Sequence, residues 1–424
     1  MQRAMHVSSL VMLIGTIACG SVSATHDAGT ESDGQGQPTD GAGPVCDFAA
    51  VGSACVFPPH VPTSAMATCF TGSALPALKP AVGATVVFQK TGSTYELACT
   101  PDCGSAATKI SAQEAVFQTG GPLIEVFCLS SISIPAGVAV TAAPTFDRAI
   151  AALASGTITV GGTIDVSATT PSAGDIAGGS GGPGGYPGGG RVAPFNGGGP
   201  CGGTIGAAVT GTGGGAGGGG HGGVGGNGGI SSPAAAGGVG GCTASYGPLE
   251  GGSGGGGGAV GTVIAVGGTN FPEGFTGAGG GGALALIARG ALTVSGSITA
   301  NGAAGPVTAD NASFKYDALG GTGGGAGGTI VLAGLSVDVS GTLRAEGGKG
   351  SVAWGAGGAG AQGATANGSS GANAPAVNNG GAGGGGGGGY VRIFAASGTA
   401  TCATIASPRG GCENNPLRTT AATP

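Results

Sequence analysis

The chain has 424 residues, of which 104 are glycine, only 8% are charged and 4% are aromatic; its formal net charge is −6. Ordinary domains hold glycine near ~7% and charged residues near ~25%, so these values argue against a conventional enzyme core. They also argue against highly charged disorder and, with no cluster of Lys or Arg to neutralise phosphates, against a nucleic-acid partner.

In chain order, Arg3 precedes an apolar run from Val7 through Ala18, which reads as an export signal. The run is too short for a comfortable membrane-spanning helix. It ends in Thr16-Ile-Ala-Cys19-Gly20, which resembles a bacterial lipoprotein signal over residues 1–19, with Thr16 standing where that family usually has Leu. The resemblance implies that Cys19 is acylated, becomes the new N-terminus and anchors the chain to a membrane. Cleavage after Val22-Ser-Ala24 is the alternative, and it gives a secreted protein instead. Residues 20–45 are polar and acidic, with Asp27, Glu31, Asp33 and Asp40 among Gly, Ser and Thr, as expected of a flexible tether.

There are 11 cysteines. With Cys19 removed the remainder is even, which suits disulfides in an oxidising compartment. Cys46, Cys55, Cys69, Cys99, Cys103 and Cys128 crowd the N-terminal third, whereas Cys201/Cys242 and Cys402/Cys412 read as separate local pairs. Residues 46–121 are expected to form a compact β cap stapled by disulfides. Ala84-Thr-Val-Val-Phe-Gln-Lys90 and Thr94-Tyr-Glu-Leu-Ala-Cys99 flank Thr91-Gly-Ser93, a good hairpin signal.

Over 122–400 one pattern recurs: Ile132-Ser-Ile-Pro-Ala-Gly-Val-Ala-Val140, Ile158-Thr-Val-Gly-Gly-Thr-Ile-Asp-Val166, Leu292-Thr-Val-Ser-Gly-Ser-Ile-Thr-Ala300 and Val337-Asp-Val-Ser-Gly-Thr-Leu-Arg-Ala345. Each alternates apolar residues on both sides of a three-residue break holding Gly or Pro. Leu123-Ile-Glu-Val-Phe127, Ala283-Leu-Ala-Leu-Ile287, Thr329-Ile-Val-Leu332 and Tyr390-Val-Arg-Ile-Phe394 are strands that precede or extend the copies, and Val263-Ile-Ala-Val266 is a weaker echo. The period and the repetition predict an all-β fold, a parallel β-helix or solenoid with long glycine-rich inserts. Residues 401–424 are expected to be a disulfide loop and a disordered tail.

The largest glycine-rich stretch spans about 173–282. Each glycine in a regular element costs roughly 0.5–1 kcal/mol relative to Ala, so long tracts are either loose loops or closely packed backbone. Extended three-per-turn helices bundled side by side, the polyglycine-II arrangement, are the ordered option. In that option Ala, Ser, Asn and Thr within the tracts suit outward positions.

Gly238-Val-Gly-Gly241 and Gly357-Gly-Ala-Gly360 resemble the PGRS-type segments of mycobacterial PE-PGRS proteins, without the helical PE domain. The lipobox, tether, Cys-rich cap and glycine-laced repeats together look like the predicted surface lipoproteins of myxobacteria and related Gram-negative bacteria. That resemblance implies residence on the outer membrane or cell surface. The repeat itself is similar to adhesin-type and polysaccharide-lyase-type β-helices.

Catalytic equipment is sparse. His6, His26, His60 and His221 each lack an evident nucleophile or carboxylate partner. His60 among the cap cysteines could ligate a metal, but exported cysteine pairs are more often disulfides. A polysaccharide-cleaving site needs two or three carboxylates on one face. Asp165 and Asp338, with Arg344 and Glu346 nearby, project outward but occupy different positions of their repeats. Gly347-Gly-Lys-Gly350 lacks the Ser or Thr directly after Lys that a phosphate loop requires. The outward positions are mostly small hydroxyls: Thr157, Thr159, Thr163, Thr293, Ser295, Ser297, Thr299 and Thr342. A flat Thr/Ser face can bind ordered water or glycans, and it is equally the ordinary polar face of a strand. No catalytic residue, metal site or cofactor is assigned. The reading is an exported, lipid-anchored structural or adhesive protein meeting glycans or extracellular matrix, the alternative being a polysaccharide-binding or polysaccharide-degrading β-helix protein.

Overall fold

The computed structural model describes residues 61–411, apart from 62, 73, 105–106, 119, 173–174, 192–194, 210–211, 233–234, 245–246, 260, 265–269, 274, 307–318, 353–357, 361–366, 376–378, 397–399 and 407–408. The expected signal and tether, with Cys19, Cys46, Cys55, His60 and Cys412, lie outside the described residues.

The first element is a helix that the β pattern hides, α1 (Thr63–Thr71). Ala65, Met66, Cys69 and Phe70 form its buried face, and it stops at Gly72. Strand β1 (Ala77–Leu78) leads to the expected hairpin of β2 (Thr85–Thr91) and β3 (Thr94–Thr100), which turns at Gly92 with φ +62°. Strand β4 (Lys109–Ser111) extends the hairpin antiparallel, and β5 (Glu114–Val116) pairs antiparallel with β6 (Ile124–Leu129). The repeats follow as β7 (Ser131–Ile134), β8 (Ala139–Ala142), β9 (Ala149–Ala154), β10 (Ile158–Val160) and β11 (Thr163–Asp165). Inside the glycine-rich stretch lie two separate antiparallel ribbons, β12 (Ala208–Val209) with β13 (Thr212–Gly213) and β14 (Gly261–Ile264) with β15 (Asn270–Glu273). The echo at Val263 therefore joins neither large sheet. The chain then resumes with β16 (Ala283–Ala288), β17 (Leu292–Val294), β18 (Ser297–Thr299), β19 (Thr329–Gly334), β20 (Val337–Arg344), β21 (Tyr390–Ala395), β22 (Ala400–Ala406) and β23 (Arg409–Gly411).

The expectation of a parallel β-helix is overturned. The strands make two large open sheets, one 12-stranded and one 7-stranded, and each mixes parallel with antiparallel neighbours. Burial pattern explains the partition. Hexapeptides such as Ala149-Ile-Ala-Ala-Leu-Ala154 and Ala283-Leu-Ala-Leu-Ile-Ala288 are apolar throughout and buried at every position. Such runs need cover on both faces, and they form the 7-stranded sheet with β6, β19 and β21. Alternating segments such as Ile158-Thr-Val160 need one wet face, and they form the 12-stranded sheet. The hairpin β2–β3 joins this sheet through parallel pairing of β2 with β8. One core lies between the two sheets and a second lies between the 7-stranded sheet and α1.

The four repeat segments are nonetheless neighbours in register. Ile158 pairs with Ile132 and with Leu292, and Leu292 pairs with Val337. A fifth copy escapes the sequence pattern: Ala400-Thr-Cys402 and Thr404-Ile-Ala406 pair with β20 although the bend contains no Gly or Pro.

Between strands, the glycine tracts are packed backbone. The amides of Gly214, Gly217 and Gly220 donate to the carbonyls of Ala207, Thr204 and Cys201. Those of Gly215 and Gly218 donate to Gly229 and Gly226, and those of Ala216 and Gly219 to Gly321 and Gly324. Each successive amide turns to a new neighbour and the cycle closes after three residues, the period of an extended three-per-turn helix. Three further neighbours donate in return: Gly238 and Gly241 to the carbonyls of Gly215 and Gly218, Gly384 and Gly387 to Ala216 and Gly219, and Gly256 to Gly217. Segment 214–220 is thus enclosed by six others. Segment 381–389 repeats the scheme, donating to 213–219, 369–372 and 345–351 by turns.

These bonds decide the energetic balance. A net hydrogen bond is worth ~0.5–1.5 kcal/mol, and an unmet buried group costs more, which offsets the roughly 0.5–1 kcal/mol penalty per glycine. Side chains are excluded sterically: a methyl on Gly218 would overlap the carbonyl oxygen of Gly385, and one on Gly384 that of Gly226. Ala216, Ala278, Ala326 and Ala382 are fully buried, so these interruptions fill interior space rather than face outward. Segments 277–282, 321–328 and 381–389 run directly into β16, β19 and β21, and the Thr329 and Tyr390 amides donate to the Gly282 and Gly328 carbonyls. The array is therefore continuous with the 7-stranded sheet.

Candidate functional site

The wet face of the 12-stranded sheet carries the hydroxyls in rows. One row runs Ser133, Thr159, Thr293, Asp338; a second Ala139, Thr163, Ser297, Thr342; a third Thr141, Asp165, Thr299, Arg344. Adjacent strands place row members about 4.8 Å apart. The Ser297 hydroxyl donates to Thr163 Oγ1 at 3.2 Å, and the Thr299 hydroxyl donates to Asp165 Oδ1 at 2.7 Å. That same carboxylate oxygen accepts the Ser167 amide at 2.9 Å. Asp165 and Asp338 stand in different rows, so the structure does not bring these two carboxylates together. Arg344 approaches Glu346 at 3.9 Å. Lys349 belongs to the glycine array, its carbonyl accepting the Gly305 amide, and it forms no phosphate loop.

A charged cluster beside the hairpin was not foreseen from the sequence. Tyr95 donates to Asp147 Oδ1 at 2.5 Å, Lys90 reaches Asp147 Oδ2 at 3.0 Å, and Arg148 pairs with the buried Glu125. The Arg148 guanidinium lies 4.4 Å from the Tyr95 ring centroid, and Phe146 packs edge-on to the same ring. Burial holds the Glu125 carboxyl above its usual range despite Arg148. Lys109 leads Gln89 and Thr91 in holding Glu96 below its usual range. Every acid in this cluster is engaged by a cation or a donor, which suits anchoring of the hairpin against β6 and β9. Spacing gave no signal for it, because Tyr95 and Asp147 meet only through the β2–β8 pairing.

His221 is buried in the array. Its Nε2 lies 2.9 Å from Thr329 Oγ1 and its ring is edge-on to Tyr390 at 5.1 Å, while Nδ1 has no hydrogen-bond partner. Burial pushes the imidazole down to about 4. Tyr186 donates to Glu250 at 3.1 Å; burial, then the nearby carboxylate, pushes the phenol up to about 12.

Three disulfides are present among the described residues. Cys69–Cys128 ties α1 to β6, Cys99–Cys103 closes the end of β3, and Cys201–Cys242 ties two segments of the glycine array. Cys402 lies in β22 opposite Val339; its expected partner Cys412 is outside the described residues. Among the described residues no group of His, Cys, Asp and Glu could hold a metal ion, and no helix is long and apolar enough to cross a membrane. The disulfides are consistent with an extracellular setting. The chain matches no family model, no curated protein and no solved structure.

Proposed function

We propose that the chain is an exported, lipid-anchored structural and adhesive protein of the cell surface. The observation that carries this reading is the in-register display of small hydroxyls on a broad sheet face, backed by disulfides that belong to an oxidising compartment. Such a face offers many equivalent weak contacts, the form suited to matrix, neighbouring cells or glycans. The polysaccharide-degrading alternative needs paired carboxylates around one bond, and the separate rows of Asp165 and Asp338 do not supply them.

The test is metabolic labelling of cells with a fatty-acid probe, together with protease shaving of intact cells. Wild type should take the label and be shaved, and Cys19→Ala should lose the label and leave the cell. A wild-type chain that stays unlabelled and protected inside the cell sinks the reading.

A further inference from the structure

Interior segment 214–220 leads through the turn His221-Gly222-Gly223 into segment 224–230, and at this turn the glycine array meets the 7-stranded sheet. Thr329 and Tyr390, the first residues of β19 and β21, meet the turn with their side chains. The contacts close a ring. His221 Nε2 lies 2.9 Å from Thr329 Oγ1 and its imidazole stands edge-on to Tyr390. The Tyr390 hydroxyl donates to the Ala244 carbonyl at 2.7 Å, and the Ala244 amide donates back to the His221 carbonyl at 2.8 Å. Gly223 adds a bond to the Gly388 carbonyl. One imidazole therefore fastens the start of segment 224–230 and, through Ala244, the end of segment 236–242.

The site accepts this ring only when it is neutral. His221 is 2% exposed and its Nδ1 has no hydrogen-bond partner, so a second proton puts a buried donor where nothing accepts it. No countercharge compensates. Thr329 faces the ring from β19 and Tyr390 from β21; beyond Tyr390 stands Arg392, itself a cation, 5.8 Å from the phenol ring. Segments 201–207, 242–244 and 386–389, which are bonded to the same stretch of chain, carry no titratable side chain, since Cys201 and Cys242 are joined in a disulfide.

We propose that His221 is an acid-released latch: a second proton on the ring expels the turn 221–223 from the sheet, and segments 224–230 and 236–244 come off with it while both large sheets stay folded. Three features confine the opening to these segments. Val224, Ile230 and Val239 are exposed, so backbone bonds carry most of the attachment of the two segments, and such regions open at low cost. The sheets, by contrast, are held by fully buried apolar cores. The Cys201–Cys242 disulfide survives acid and keeps the freed segment tethered, so the latch closes again when the proton leaves. Linkage sets the size of the effect. The enclosed ring takes its proton only near 4 and the freed ring near 6.5, so acid favours opening by up to about 300-fold between those values.

The experiment is hydrogen exchange of the full chain, disulfides intact, between pH 7 and 4, read as protection relative to free peptide at the same pH. Protection of 221–230 and 236–244 should fall by up to about 300-fold. Ala149–Ala154 and Ala283–Ala288 should keep theirs, and return to pH 7 should restore the loss. His221→Gln keeps a donor for Thr329 but takes no second proton, and it should hold the same segments at a protection independent of pH. Histidine NMR reads the wild-type ring directly: the charged-ring signal and the loss of protection should share one midpoint. Protection that stays constant down to pH 4 overturns the proposal. So does simultaneous loss in the array and both sheets, which is global acid unfolding. Equal loss in His221→Gln assigns the effect to another acid such as Glu250, and a ring that titrates near 6.5 while the segments stay protected shows that charge does not open them.

Discussion

At the scale of single residues, His221 is the most informative side chain in the array. Its neutral ring is enclosed by backbone, Thr329 and Tyr390, and burial pushes its protonation down to about 4 from 6.5. The unfolded chain binds a proton near 6.5 and the folded chain does not until about 4. Stability is therefore complete above pH 6.5 and lost progressively as pH falls toward 4. The slope approaches 1.4 kcal/mol per pH unit for this one group. Urea unfolding between pH 7 and 4 should show that slope in wild type, and His221→Gln should remove its share of it. Identical pH profiles would mean that His221 does not carry the effect. The sequence marks His221 only as a histidine in a glycine run, because its burial depends on segments far along the chain.

At the scale of elements, the same substitution should change sign with location. Gly218→Ala places a methyl against the carbonyl of Gly385 within a segment that has neighbours on every side, where nothing can yield without breaking backbone bonds. We expect a loss of about 3 kcal/mol or more, the upper range for overpacking. At Gly247 a methyl meets nothing within 4 Å, and Gly247→Ala should be neutral or stabilising by up to ~1 kcal/mol. Chemical denaturation of both variants checks this, and equal effects would refute a close-packed array. The repeat segments, the β2–β3 hairpin and the three-residue period of the tracts are legible locally, since alternation and glycine content are local properties. Helix α1, the unpatterned fifth strand β22 and the Tyr95–Asp147–Arg148 cluster are not, because each owes its place to a partner distant in sequence.

At the scale of the whole molecule, the two sheets and the glycine array form a continuous hydrogen-bonded body. Amides of 214–220, 321–328 and 381–389 include many bonded to segments distant in sequence, such as Ala216 to Gly321 and Gly381 to Gly213, so they open only when the array comes apart. Hydrogen exchange should find them among the slowest in the protein, and reduction of Cys201–Cys242 should speed exchange first in 201–207 and 236–242, the segments that this disulfide joins. Exchange of these glycines on the timescale of free peptide would show a loose tract instead. Taken alone, the sequence determines the four repeat strands, the β2–β3 hairpin and the outward hydroxyls, because period and composition act over a few residues. Tertiary structure decided that the strands divide between two open mixed sheets rather than coiling into one helix, since runs apolar on both faces need cover that alternating runs do not. It also decided the role of the glycines. A residue without a side chain has no preference for a partner in sequence, and only the arrival of six neighbouring backbones turns it from a flexible link into the closest-packed part of the protein.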